Sequence, residues 1–370
     1  MKVVAITRRD FFKNLSLAGG AGLLGLSGGS LLLKACAPAE EEVKEETKEE
    51  PGAQQPAYAR LAEEGKLAER VEKAYEKLEN CNLCPRRCGV NRLNGESGFC
   101  DSTDQLIVYN YAPHFGEERP LVGSNGSGTI FFSNCNLRCV FCQNWPIAHK
   151  GKGSQVSDED LADMMMDLQN RGCHNINLVT PTHVMPHFLN ATQKALEKGL
   201  HLPLCYNTGG YELAENVELL DGLVDIYLPD LKFMDGEMSD KYIVRGATDY
   251  PQNAQGAIKE MYRQVGTLSK DESGIAKRGL MIRHLVMPNR VSDPKDFVYW
   301  VADHLPEDTY VNLMAQYRVE HKAYDYEKID EAITPEEFIE AMEWAKEAGL
   351  TNLDERSVEQ LERFRRQVNP

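Results

Sequence analysis

Six short apolar runs, rich in β-branched and aromatic residues, recur through the middle of this chain at 129–132, 175–180, 202–208, 223–230, 279–288 and 309–317. Stretches with helical spacing lie between most of them: one opening at Ser157, then 187–199, 212–220, 252–266 and 294–304, with another at 335–349. Ser157 suits an N-cap, and the acidic residues after it suit the positive end of a helix. Short strands alternating with helices call for a parallel sheet covered by crossovers. An open doubly wound sheet satisfies the same alternation. What separates the two is how the runs end: SNC, TPTH, NTGG, DLK, PN and QYR follow the six in order. Chemically capable residues after every strand suit a barrel, whose site is assembled from all the carboxyl-end loops. An open sheet gathers its ligand at one switch point instead. The expected architecture is α/β, a partial (β/α)6 TIM-like barrel with an N-terminal cysteine-rich module and a C-terminal helix.

The 370 residues divide around that barrel. Residues 1–36 place paired arginines (TRRDFFK) ahead of an uncharged, glycine-rich apolar segment that ends in LLKAC. That order matches a twin-arginine export signal, and LLKAC is similar to a lipobox with Cys36 as the lipidated residue, apart from Lys34. An uncleaved membrane anchor is the other reading, because the apolar segment is about as long as a bilayer core requires. Residues 37–57 form an acidic linker, in which the stretch 40–50 sets seven glutamates against two lysines. Such a run is solvated rather than packed. Residues 58–110 are expected to hold a helix (58–79) and the cysteine-rich module, 111–318 the partial barrel, and 319–370 a helical extension. A formal net charge of −16 argues against a nucleic-acid partner, which needs a basic face to neutralise phosphate.

Seven of the ten cysteines fall in two tight groups. Short C-x2-C spacings suit metal ligation better than bridging, even in an exported chain. Cys81, Cys84, Cys88 and Cys100 make a complete set of four, with Arg86 and Arg87 placed to offset thiolate charge. Zinc, an auxiliary iron–sulfur cluster and disulfide pairing all remain open for that set. Cys135, Cys139 and Cys142, spaced C-x3-C-x2-C directly after the first strand, offer only three thiols. Three thiolates can hold three irons of a four-iron cluster and leave the fourth iron open to an external ligand. A zinc knuckle completed by a distant residue such as His149 is the alternative. Cys173 and Cys205 stand alone in apolar surroundings and read as packing residues.

The C-x3-C-x2-C loop, with Phe141 just before its last cysteine, resembles that of the radical S-adenosylmethionine (SAM) enzymes. More narrowly, residues 129–318 resemble the pyruvate formate-lyase activating enzyme and its uncharacterised relatives. The resemblance implies a 4Fe-4S cluster on Cys135, Cys139 and Cys142 whose open iron chelates SAM, and a 5′-deoxyadenosyl radical that abstracts hydrogen from a substrate. It implies cofactor contacts from Phe141 and from Asn144, the latter on the adenine side. The YNTGG segment is similar to the family's D-T-N-G, with Thr208 matching and Asn207 in place of the acid. The D-L-K segment implies that Asp230 and Lys232 meet the ribose and the carboxylate, and IRHLVMP puts Arg283 at the family's carboxylate-binding arginine. The family's G-G-E segment reads TPTHVMP here, with His183 in the glutamate's place and Thr180 and Thr182 as further acceptors.

A membrane-tethered electron-transfer protein with two clusters and no SAM chemistry is the competing class, and a zinc-stabilised binding module is a third. The electron carrier has no use for the YNTGG, DLK and IRHLVMP segments, and the zinc module is told apart by colour, since zinc proteins are colourless and four-iron clusters brown. The implied partners are a low-potential electron donor and, on the family pattern, a protein whose glycyl radical is generated. The implied location is the outer face of the cytoplasmic membrane, reached by the twin-arginine route, with membrane contact only through the N-terminal lipid or anchor.

Overall fold

All six expected runs form strands, and they pair in parallel in sequence order. The structure is a computed structural model describing residues 55–368. The export signal, Cys36 and most of the acidic linker lie outside the described residues. Two helices come first, α1 (Ala57–Glu63) and α2 (Lys66–Glu76). The single helix expected over 58–79 is thus broken, at Gly65, whose left-handed backbone (φ 71°) ends one helix and starts the next. Strand β1 (Leu106–His114) follows the cysteine-rich module and runs antiparallel to β2 (Ser127–Phe132), with the short β3 (Ser154–Val156) on its other edge. The sheet therefore begins before residue 111, and β1 crosses the boundary expected there. Its apolar–polar alternation lapses after Val108, which is why it does not read as a strand from sequence.

The parallel body then proceeds through α3 (Asp158–Asn170), β4 (Ile176–Val179), α4 (Met185–Glu197), β5 (Leu204–Thr208) and β6 (Ile226–Pro229). After α5 (Gly236–Tyr242) and α6 (Tyr250–Val265) come β7 (Ser269–Lys270), β8 (Ala276–Leu285), α7 (Pro294–His304) and β9 (Tyr310–Met314). The chain ends in α8 (Pro335–Glu347) and α9 (Glu355–Val368), two helices where one was expected. Ser157 does cap α3, in a reciprocal box with Asp160.

The order β2-β4-β5-β6-β8-β9 is all parallel and does not close on itself. Successive side chains on a strand point to opposite faces, and this parity sets the whole site. One face packs on the helices in the main core, through Leu178, Leu204, Tyr206 and Tyr227. The other lines the barrel interior, where Cys205, Ile226, Leu228, Met281 and Tyr310 cluster with Leu121. Cys173 and Cys205 are both buried, as expected of packing residues. Among the described residues no helix is long and apolar enough to cross a membrane.

Candidate functional site

The three-cysteine loop leaves the carboxyl end of β2. Two of its residues, Asn134 and Arg138, take a left-handed backbone (φ 75° and 56°), which non-glycine residues hold only under external constraint. The constraint comes from the cysteine-rich module. Asn134 Nδ2 donates to the Asp101 carbonyl at 3.3 Å and to Ser102 Oγ at 3.2 Å. Arg138 Nη1 donates to the Phe99 carbonyl at 3.1 Å and to the Asp101 carboxylate at 2.6 Å. On the other side, the Val140 N–H donates to the Tyr242 carbonyl at 3.0 Å. Cys139 is buried while Cys135 and Cys142 are half-buried. Burial, and then the neighbouring thiols, push Cys139 and Cys142 above the usual thiol range, while Lys232 pulls both down.

Four of the implied cofactor residues meet on the interior face beside Cys139. Asp230 accepts from Lys232 Nζ at 2.5 Å and from Arg283 Nε at 2.7 Å, and Arg283 Nη2 donates to Asn207 Oδ1 at 2.6 Å. The side chains of Asp230, Lys232 and Arg283 keep 13–18% of their area exposed, so the network is enclosed yet reachable from the mouth. Although burial opposes ionisation, the Arg283 and Lys232 charges hold Asp230 below the usual carboxylate range. Two acids absent from the sequence reading complete the group from below. Glu117 lies 3.4 Å from Arg283 Nη1, and Glu118 accepts from Asn312 Nδ2 at 2.8 Å. Burial raises Glu118 to about 7. They sit in the turn between β1 and β2 at the amino ends of the strands, where no motif marks them.

Tyr250, also missed, ties the segments together. Its hydroxyl accepts from the Lys232 N–H at 2.9 Å and lies 2.9 Å from the Gly209 carbonyl and 3.0 Å from that of Asp230. Gly210 is required here: its φ is +83°, and a Cβ would stand 2.1 Å from the Asp230 carbonyl oxygen.

Four implied cofactor residues are placed otherwise. Thr208 neighbours Asn207 on β5, so parity turns it to the helix side, where its hydroxyl donates to Glu212. Thr182 Oγ1 donates to the same Glu212 oxygen at 2.5 Å, and Tyr206 reaches it at 3.3 Å. Glu212 is fully buried, and burial raises its carboxyl to about 7. His183 keeps one unpaired acceptor, its buried Nδ1, while its other ring nitrogen is committed. The chain turns left-handed at Thr180 (φ 59°) into a short helical turn, Thr182–Val184, and His183 Nε2 is spent 2.7 Å from the Ser133 carbonyl. Burial lowers this histidine to about 3, so the ring is neutral and Nε2 is the donor. Phe141 is buried edge-on against Phe233 (6.0 Å) and packs at a tilt on Tyr317 (6.3 Å), so it anchors the loop rather than offering a ring face. Thr180 stays at the strand end with its N–H on the Asn207 carbonyl at 2.8 Å. Asn144 is exposed, with a side chain that makes no cap bond to the short helix Trp145–Ala148. His149 stacks edge-on against His321, at 4.5 Å.

The four module cysteines line one small cavity together with Arg86, Arg87, Arg92, Asn136 and His183, and all four thiols are free. None of the four is disulfide-bonded in this structure. Arg87 lines the cavity as expected but pairs outward with Glu215 at 3.0 Å, so its charge already has a partner. Among the described residues no three His, Cys, Asp or Glu side chains converge on one point closely enough to hold a single metal ion. For Cys135, Cys139 and Cys142 that spread agrees with a cluster, since iron and sulfide would stand between the thiolates. Lys232 beside them offsets part of their charge, so the donor set suits a three-thiolate cluster.

Residues 129–261, from β2 through most of α6, match the model of the radical SAM superfamily. The chain belongs to the radical SAM superfamily. It is 32% identical over 289 residues to uncharacterized protein MJ0674 of Methanocaldococcus jannaschii, covering 76% of this chain and 78% of that one. Uncharacterized protein MJ0808 of the same organism is 24% identical over 303 residues, covering 75% and 81%. Among solved structures, HydG, a maturase of the FeFe-hydrogenase, aligns at 10% identity with a TM-score of 0.43, over 81% of this chain and 60% of that chain. Methylornithine synthase aligns at 12% identity with a TM-score of 0.34, over 78% and 81%. As a radical SAM protein the chain is expected to hold a 4Fe-4S cluster and SAM, and the three-cysteine loop is the site that suits the cluster.

Proposed function

We propose that this chain is a radical SAM enzyme acting on a protein substrate, in the manner of a glycyl-radical activating enzyme. When bound, the cluster supplies the electron that cleaves SAM to methionine and the hydrogen-abstracting 5′-deoxyadenosyl radical. The chain's own residues would do the positioning. Lys232 and Arg283 present two cations to the SAM carboxylate, and Asp230 both holds them in place and offers an acceptor to the ribose hydroxyls. Asn207 supplies an amide on the same face, and Asn144 a free amide at the rim. The observation that carries the reading is the convergence of Asn207, Asp230, Lys232 and Arg283 beside Cys139. An electron carrier needs no such network. Export and lipidation, with a low-potential donor outside the cytoplasm, belong to the same proposal and rest on residues 1–36.

The test is anaerobic reconstitution of the full chain with iron and sulfide, reduction with dithionite, and chromatography for 5′-deoxyadenosine after SAM is added. Formation of 5′-deoxyadenosine supports the proposal. A reduced cluster that leaves SAM intact moves the chain to the electron-transfer class.

A further inference from the structure

Arg92 is 1% exposed, the largest fully buried side chain among the described residues. Its guanidinium donates to carbonyls alone: Thr103 from Nε at 2.9 Å and from Nη2 at 2.5 Å, and His183 from Nη1 at 2.8 Å. Arg86 is only half-buried but is bonded in the same way. It donates to the carbonyls of Asn136 (3.1 Å), Val244 (2.9 Å), Arg245 (2.7 Å) and Gly246, and its guanidinium lies 3.8 Å over the Phe99 ring. Among the described residues no carboxylate pairs with either. Glu212, the nearest buried acid to Cys84, is engaged by threonines and a tyrosine instead. Carbonyl dipoles solvate a buried cation but do not cancel its charge, and an uncompensated buried charge costs several kcal/mol.

Both arginines line the cavity of Cys81, Cys84, Cys88 and Cys100. We propose that these four cysteines hold a second metal centre as thiolates, with Arg86 and Arg92 as its built-in counterions. The charges match. Four thiolates around a 4Fe-4S core in its 2+ state carry a net −2, and the two arginines carry +2. The thiols do not converge on one point, so the fit is to a cluster and not to a single zinc ion. Neutral thiols or disulfides would leave Arg92 buried without a counter-charge, whereas the half-buried Arg86 still meets solvent. Donors to sulfur are already in place, with the Phe99 N–H 3.3 Å from Cys88 Sγ. Gly98 is held by the same sulfur, since a Cβ there would stand 2.8 Å from it.

The centre also bears on the catalytic loop. Arg86 bonds the Asn136 carbonyl, and Arg92 bonds His183, whose ring bonds the Ser133 carbonyl. Those two residues flank Cys135.

The test uses the full chain with Cys135, Cys139 and Cys142 changed to Ala, so that metal at the module is counted alone and the SAM reading is not involved. Four irons with four sulfides per chain support the proposal, and one zinc in their place overturns the cluster. No bound metal overturns it. Arg92→Met should retain metal against a chelator about tenfold or more less well, while Arg92→Lys stays near the parent. Equal retention by Arg92→Met removes the counterion role. Should Arg92→Met fail to fold, alkylation of the parent decides: Cys81, Cys84, Cys88 and Cys100 should react only after chelation, and ready reaction beforehand, or disulfides, overturns the centre.

Discussion

The carboxyl ends of the parallel strands carry two polar networks back to back, and they are electrostatic opposites. Inside the barrel, Asp230 is ionised between two cations and Cys139 lies beside it. Outside, under the helices, Glu212 is buried among the hydroxyls of Thr182, Thr208 and Tyr206, with Cys84 nearby and no cation in the group. Burial pushes both carboxyls up, but only Asp230 gains positive partners, and the Arg283 and Lys232 charges bring it below the usual range while Glu212 stays raised. The inner network is arranged to hold charge and remains open at the mouth. The outer one is neutral and closed, as a joint between barrel and module would be.

The sharpest way to break the inner side is Cys139→Ala, which should remove the cluster and all 5′-deoxyadenosine formation, read by chromatography after dithionite reduction. Asp230→Asn comes next. It takes from Lys232 its carboxylate partner and leaves Arg283 only Glu117 and Glu118. Such a change is worth about 3 kcal/mol or more for a buried pair, reduced here by the remaining acids and by the partial exposure of Asp230, Lys232 and Arg283. Asp230 titrates below its ordinary range in the fold, so its stabilising contribution is full above the unfolded value and is lost as pH falls through the folded value. Thermal melts of the metal-free parent should therefore show an acid limb that the Asn variant lacks. If the two melt alike at every pH, the ion triad contributes nothing.

A paired experiment separates the faces more finely. Asn207→Ala should weaken SAM binding about tenfold, because it takes a charge-assisted hydrogen bond from Arg283. Thr208→Val should leave SAM affinity unchanged and lower the melting temperature instead, because its hydroxyl serves Glu212. Equal loss of SAM affinity in both variants would mean that strand parity is the wrong guide to this site.

That pair also marks the limit of what was legible. The six strands and their loaded ends were readable because each apolar run stops at a polar motif, and a barrel needs those stops at one end. Motif matching cannot see which face a residue takes, so Asn207 and Thr208 read as equals although the pleat sends them apart. His183 read as a substitute for a lost glutamate, yet the left-handed step at Thr180 carries it to the Ser133 carbonyl. Glu212 and Arg92 had no motif at all; each is a single charged residue in a polar stretch, and only tertiary burial distinguishes it from a solvated one. Arg87 shows the converse, a residue next to the thiols in sequence that pairs away from them in space.

The smallest expected effect tests the outer network by itself. Glu212 titrates near 7 in the fold and close to the ordinary carboxylate value when unfolded. A group raised in this way stabilises fully below its unfolded value, and that contribution drains as pH rises through the folded one. The parent should lose stability between about pH 4.5 and 7 through this group alone. Glu212→Gln keeps an oxygen for Thr182 and Thr208 and cannot ionise, so its melting temperature should be flat over that window and exceed the parent's by a few degrees at pH 8. A parallel decline in both proteins would place the carboxyl's proton elsewhere and remove the contrast between the two networks. Retained 5′-deoxyadenosine formation in Glu212→Gln would add that the outer network supports the site without touching its chemistry.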